Sequence, residues 1–202
     1  EAYVDGWWDC EALDQMITRG FRAGLEDKVR NNLRFLIYLV GFRMFNRQSR
    51  ARAFQVGEQH YDIGNDVFEQ MLDPHMNYSC GFWESAQNLA EAQIAKMEMI
   101  CAKLQLEPGM KVLDVGCGWG GLARWMAGHH GAQVTGVTVS VEQAKLARDR
   151  CADLPIDIEV RDYRELEGQF DRIVSVGMFE HVGQRNYQTF FGKTRSLLKD
   201  QG

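Results

Sequence analysis

Apolar residues recur at helical spacing in two stretches near the start of the chain. Leu13, Met16, Ile17 and Phe21 form one stripe, and Leu33, Leu36, Ile37 and Val40 form a second. The pattern predicts a mostly helical segment over residues 1–58. Residues 59–83 carry few helix signals: Gly64 and Asn65 mark one turn, Asp73 and Pro74 another, and Tyr78, Ser79, Cys80, Phe82 and Trp83 crowd polar tips and aromatic faces together. A helix follows over 86–106, with Leu89, Ala92, Ala95, Met99, Ala102 and Leu104 as its apolar stripe and Pro108 and Gly109 as its stop. Beyond it short strands alternate with helices. Val112–Val115 reads as a short buried strand, and Leu122, Trp125 and Met126 carry a helix from about Gly121 to His129. Strands follow over Gln133–Thr138, Ile156–Val160 and Asp171–Gly177, with a helix opening at Ser140 and a last one carrying Tyr187, Phe190, Phe191, Thr194 and Leu197. Strands alternating with helices predict an α/β fold, a doubly wound Rossmann-like sheet, over residues 59–202.

Composition narrows the classes. The 202 residues are 45% hydrophobic and 25% charged, as in ordinary globular proteins, and the net charge of −5 argues against a nucleic-acid binder. Mean hydropathy is −0.35, and the longest apolar run, Phe35–Phe42, is far short of the ~20 residues that span a bilayer. Five cysteines, at 10, 80, 101, 117 and 151, include no pair two residues apart, so the expectation is a reducing cytoplasm, with no disulfide framework and no zinc site. No signal peptide is visible; the first residue is Glu, and the start of the gene product is expected to lie before it.

The chemistry centres on the turn after the first strand. Gly116, Gly118, Gly120 and Gly121 fall within six residues, and strand, glycine turn and helix is the local shape of a nucleotide-binding unit. The spacing also fits a dinucleotide fingerprint. Two details point elsewhere. Asp114 stands inside the strand end, and the next strand ends at Thr138 without the carboxylate expected for an NAD ribose. Ser140 and Gln143 read as a capping box, the serine taking a free N–H and the glutamine reaching back. Asp162 and Tyr163 follow the third strand, where a ring could stack on adenine and a carboxylate accept from its amine. His129 and His130 read as exposed residues favoured by the helix dipole. Arg43, Arg47, Arg50 and Arg52 form either a solvated face or a surface for anionic lipid headgroups.

Val112–Gly121 resembles motif I of the S-adenosylmethionine-dependent methyltransferases. Together with the stretches 60–66, 72–80 and 176–183, it resembles the bacterial cyclopropane-fatty-acyl-phospholipid synthases, over nearly the whole chain and most specifically from His60 to Tyr187. The resemblance implies the methyltransferase version of the fold, with further C-terminal strands expected beyond residue 202. The implied reaction adds a methylene group from S-adenosyl-L-methionine across the cis double bond of an acyl chain in a membrane phospholipid. A carbocation arises on the way, so aromatic rings facing it are expected, with Tyr78, Phe82, Trp83 and Phe179 as candidates. The resemblance assigns Tyr78 and Ser79 to the cofactor, lays Thr138, Val139 and Gln143 along its ribose, and adds Asp114, Gly116, Gly118, Gly120, Asp162 and Tyr163. It also implies a bicarbonate ion as general base, held in part by Cys80 and Glu180, with a histidine and a tyrosine beyond residue 202. By themselves these two residues read as a small buried hydrophobe and a helix N-terminal acid. Peripheral contact with the inner face of the membrane is implied, with a homodimer as one assembly the resemblance allows. A methyltransferase that leaves a methyl branch, or a non-catalytic remnant, stays open at this point.

Overall fold

The computed structural model describes residues 5–24 and 65–202. The second helical stripe, the arginine cluster and His60 lie outside the described residues. The chain divides into two compact units, Glu1–Arg47 and Gln48–Gly202. In the first, the stripe of Leu13, Met16, Ile17 and Phe21 forms helix α1, Leu13–Arg22.

The second unit opens with α2, Asn65–Met71, where the sequence reading placed a turn. Phe68 is its one buried side chain, packed on Trp119, so tertiary contact rather than local signal makes this short helix. Helix α3 spans Leu89–Leu104. Asn88 caps it by accepting the N–H of Glu91 at 3.0 Å, and Gln105, in the left-handed conformation, ends it before Pro108 is reached. Its buried face is Ala92, Gln93, Lys96, Met97 and Cys101. This corrects the predicted stripe: Leu89 is exposed, and two polar residues point inward where Ala95 and Met99 were expected.

Four parallel strands follow: β1 Lys111–Val115, β2 Gln133–Thr138, β3 Ile156–Val160 and β4 Arg172–Val174. Their order is β3-β2-β1-β4. Register runs Lys111↔Gln133 to Val115↔Val137, Val134↔Ile156 to Thr138↔Val160, and Val112↔Arg172 to Asp114↔Val174. Helices α4, Gly121–His130, and α5, Val141–Cys151, make the crossovers, and α6, Tyr187–Leu197, follows β4. Alternate residues of β1 feed opposite faces. Val112 joins Met97, Cys101 and Met126 from α3 and α4, while Leu113 and Val115 join Phe190 and Leu197 from α6. Burying a side chain such as Leu113 contributes roughly 1.5–3 kcal/mol. Both faces are therefore covered, as the doubly wound reading requires.

Strand β4 is shorter than predicted. The hydroxyl of Ser175 donates to the Val115 carbonyl at 2.8 Å, a side-chain bond at the carboxyl end of the pairing, and the chain then turns through Gly177 at φ 77°. At its other end Phe170 forms a parallel bridge with Leu198, beside β4 and away from β1. The chain runs out from β1 to β2 and β3, then returns to β4 on the other side of β1. The crevice beyond the carboxyl ends of β1 and β4 is thus the topological switch point, where open α/β sheets bind ligands.

Candidate active site

A cavity of about 220 Å³ opens at that switch point. Ten of the thirteen residues expected in the site line it. Tyr78 and Ser79 form one wall; Asp114, Gly116 and Gly118 form the floor at the end of β1. Thr138, Val139 and Gln143 come from the end of β2 and the start of α5, and Asp162 and Tyr163 from the end of β3. Gly120, Cys80 and Glu180 do not line it.

The glycines divide their work. Gly116, at φ 86°, turns the chain out of β1, and a Cβ there would sit 2.7 Å from the Cβ of Met178. Gly121 opens α4 directly against the backbone of the 73–77 loop: a Cβ there would lie 2.1 Å from the His75 carbonyl oxygen. Gly120 gives room for α5 rather than for a ligand. Gly118 alone combines a left-handed φ of 56° with open space on the cavity side.

Asp114 is 2% exposed, and its Oδ2 has no hydrogen-bond partner among the described residues. Burial pushes its pKa up from 3.8 to about 7. That value lies above the one in the unfolded chain, so the folded form holds the proton more tightly. The contribution to stability is complete below about pH 4, is lost as pH rises toward about 7 and is flat above it. Its size is on the order of 4 kcal/mol. Urea unfolding of the cofactor-free protein from pH 4 to 8 is expected to show this slope, and Asp114→Asn is expected to flatten it. A slope unchanged by the substitution would show that another group causes it.

At the end of β2 the predicted capping box is half formed. Ser140 Oγ accepts the Gln143 N–H at 3.2 Å, but the Gln143 side chain does not reach back. Its Oε1 accepts instead from the Thr138 hydroxyl at 2.8 Å, and Thr138 Oγ1 takes the Ser140 N–H at 3.2 Å. The amide's carbonyl end is thereby occupied, and its amino end is left as the donor for a ligand hydroxyl.

Asp162 is buried and accepts from the Arg164 N–H at 2.9 Å, from its Nε at 2.8 Å and from its Nη2. An adenine amine would share this carboxylate with a bidentate guanidinium, a partner the sequence reading missed. Arg164 also lies 5.5 Å from the centre of the Tyr163 ring, and Phe190 meets that ring edge-on at 5.3 Å. The ring is thus held for stacking.

Of the four aromatics expected to face a cation, only Tyr78 lines the cavity. Phe82 and Trp83 are exposed away from it, and Phe179 stacks on Tyr187 at 4.7 Å within an aromatic cluster with Phe190 and Phe191. Trp119, which the sequence reading did not single out, is buried, lines the cavity, and donates its indole N–H to Asn65 Oδ1 at 2.8 Å. Cys80 and Glu180 are exposed, next in sequence to the lining residues Ser79 and His181 respectively. His129 is exposed as expected, and its ring stacks on Trp125 at 3.8 Å.

The pattern of the family described as "Mycolic acid cyclopropane synthetase" matches residues 48–202. This chain belongs to that family. Curated proteins similar to it include the cyclopropane-fatty-acyl-phospholipid synthase of Escherichia coli strain K12, 54% identical over 202 residues, which are 100% of this chain and 53% of the relative. A probable fatty acid methyltransferase of Pseudomonas putida is 43% identical over 150 residues, 71% of this chain and 38% of the relative. The chain thus spans about half the length of the synthase it matches end to end. Among solved structures, a mycolic acid cyclopropane synthase complexed with SAH and CTAB aligns with TM-score 0.70 and 37% identity, over 73% of this chain and 53% of the other. A coclaurine N-methyltransferase bound to N-methylheliamine and SAH aligns with TM-score 0.78 and 25% identity, over 100% of this chain and 62% of the other. The fold is that of the S-adenosylmethionine-dependent methyltransferases.

Proposed function

We propose that this chain is the cofactor-binding portion of an enzyme that forms cyclopropane rings on unsaturated acyl chains of membrane phospholipids, with S-adenosylmethionine as the donor. The observation that carries the reading is the cavity itself. It joins a glycine turn and a buried Asp114, whose Oδ2 has no hydrogen-bond partner among the described residues, to a β2 end that offers Thr138 and Gln143 in place of an acid. Those groups fit an adenosine bearing a cationic amino-acid tail, and the Asp114 carboxyl group supplies an acceptor for that charge. When bound, the cofactor supplies an electrophilic methyl group on a cationic sulfur. The chain's own residues bind and orient: Tyr163 stacks, Gln143 donates to a ribose hydroxyl, and buried Trp119 and Leu122 keep water from the floor.

The proton released at ring closure needs a base. We assign Cys80 and Glu180, next in sequence to lining residues, to holding a bicarbonate ion for that task. The lipid side is supported by α1, whose Met16, Ile17 and Phe21 are exposed on one stripe, as an interfacial helix requires. Among the described residues no helix is long and apolar enough to cross a membrane. Peripheral attachment at the inner face, in the cytoplasm, is the proposed location, and homodimerisation is left to a sedimentation measurement.

The test uses the full-length protein. Calorimetry is expected to show binding of S-adenosylhomocysteine and none of NADH. Incubation with S-adenosylmethionine and vesicles of unsaturated phospholipid is expected to yield cyclopropane signals in the proton spectrum of the extracted acyl chains. A methyl branch instead would move the assignment to a fatty acid methyltransferase, and NADH binding alone would overturn it.

A further inference from the structure

Lys96 is a second charged group on this cavity, and the reading above leaves it without a role. It lies on the inward face of α3, is 6% exposed, and lines the cavity wall. Its Nζ donates to Ser79 Oγ at 2.7 Å. Among the described residues no carboxylate forms an ion pair with it. Asp73 acts on it only through space, and the Asp73 oxygens accept the N–H groups of His75 and Asn77 and the Asn77 amide. Burial pulls the Lys96 pKa below its ordinary value, against the opposing through-space effect of Asp73. A buried cation with one neutral acceptor costs stability unless something repays it.

The surroundings fit an anion. Gln93 donates to the Ser79 carbonyl at 2.8 Å, so α3 fixes both the backbone and the hydroxyl of that residue. Because Ser79 Oγ accepts from Lys96, the hydroxyl's own hydrogen is left to donate onward. An ammonium and a hydroxyl therefore present donors side by side on one wall. Asp114, whose Oδ2 has no hydrogen-bond partner among the described residues, lines the same cavity. A buried ammonium and a buried carboxyl group, neither in an ion pair among the described residues, complement the two polar groups of an α-amino acid.

We propose that Lys96, together with the Ser79 hydroxyl, receives the carboxylate at the amino-acid end of the cofactor. The proposal rests on the S-adenosylmethionine reading. A free oxyanion such as bicarbonate offers the same chemistry, and the experiment separates the two.

Calorimetry on the full-length protein compares S-adenosylhomocysteine with its decarboxylated analogue, in which hydrogen replaces the carboxylate. Lys96→Met is expected to weaken S-adenosylhomocysteine by about 10–100-fold, the range for a hydrogen bond to a charged group, and to change the analogue by less than about twofold. Equal loss for both ligands would make Lys96 a structural residue and overturn the proposal while leaving the cofactor reading intact. So would undiminished S-adenosylhomocysteine binding combined with a bicarbonate-dependent rise in melting temperature that Lys96→Met abolishes, since that result places a free oxyanion there. Should the variant not fold, the unmutated protein decides: the analogue must bind at least about tenfold more weakly than S-adenosylhomocysteine, and equal affinities overturn the proposal. If the unmutated protein binds neither ligand, the cofactor reading fails and this proposal with it.

Discussion

Glu180→Gln in the full-length protein is expected to lower the rate of cyclopropane formation by about 10²–10⁴, the usual worth of general acid–base catalysis. Affinity for S-adenosylhomocysteine should stay within about twofold. The two numbers separate because the assigned task of Glu180 is to hold the proton acceptor, not the cofactor. An interaction made only as charge develops lowers kcat and kcat/KM together and leaves ground-state binding alone. The structure is consistent with that division: Glu180 sits in the short turn Phe179–His181, exposed, while its neighbours Met178 and His181 line the cavity. Depleting bicarbonate should slow the unmutated enzyme and scarcely affect Glu180→Gln, since both remove the same base. Cys80→Ala should cost less if the ion is held there through the backbone. Near-normal ring formation by Glu180→Gln in bicarbonate-free buffer would end the assignment.

Gly121→Ala is expected to destabilise the full-length protein by about 1–3 kcal/mol or more and to remove measurable cofactor binding. Helix propensity alone argues the other way, favouring alanine by about 1 kcal/mol inside a helix. Packing decides, because the new methyl would fall 2.1 Å from the His75 carbonyl oxygen, which is backbone and cannot swing aside. The 73–77 loop would have to move, and its internal bonds run from Asp73 to the N–H groups of His75 and Asn77. Displacing it shifts the adjoining wall of Tyr78 and Ser79. Gly128 is the internal control. It lies on the same helix, but the nearest atom to its added Cβ is Leu154 Cδ1 at 3.9 Å. Gly128→Ala should therefore gain about 0.5–1 kcal/mol in urea unfolding and leave binding unchanged. If Gly121→Ala also gains stability, the close approach of the loop does not exist in solution.

What local sequence determined is the α/β core and its turn. Val112, Leu113 and Val115 form a short apolar run of the kind a strand buried on both faces shows, and the glycines after Val115 leave few conformations other than a tight turn into a helix. Strand boundaries for β2 and β3 agree with the sequence reading, although only Ile158 of β3 is buried. The glycine turn, Asp114, Asp162 and Tyr163 were legible as candidates from the same logic, since parallel strands put their carboxyl ends on one edge, while Tyr78, Ser79, Thr138, Val139 and Gln143 came from the family resemblance. Tertiary structure decided the rest. Helix α2 has too few residues to hold itself and exists by packing Phe68 on Trp119. Ser175 bonds Val115 across the chain and accompanies the early end of β4. Two contacts the sequence reading missed are local: Gln143 leaves the cap for Thr138, five residues before it, and Arg164 bonds Asp162, two residues before it. Lys96 shows the limit most clearly. A lysine between Ala92 and Met97 reads as an ordinary helix surface residue. Only the packing of α3 against the Ser79 wall turns it inward, where the low dielectric makes one unpaired ammonium matter.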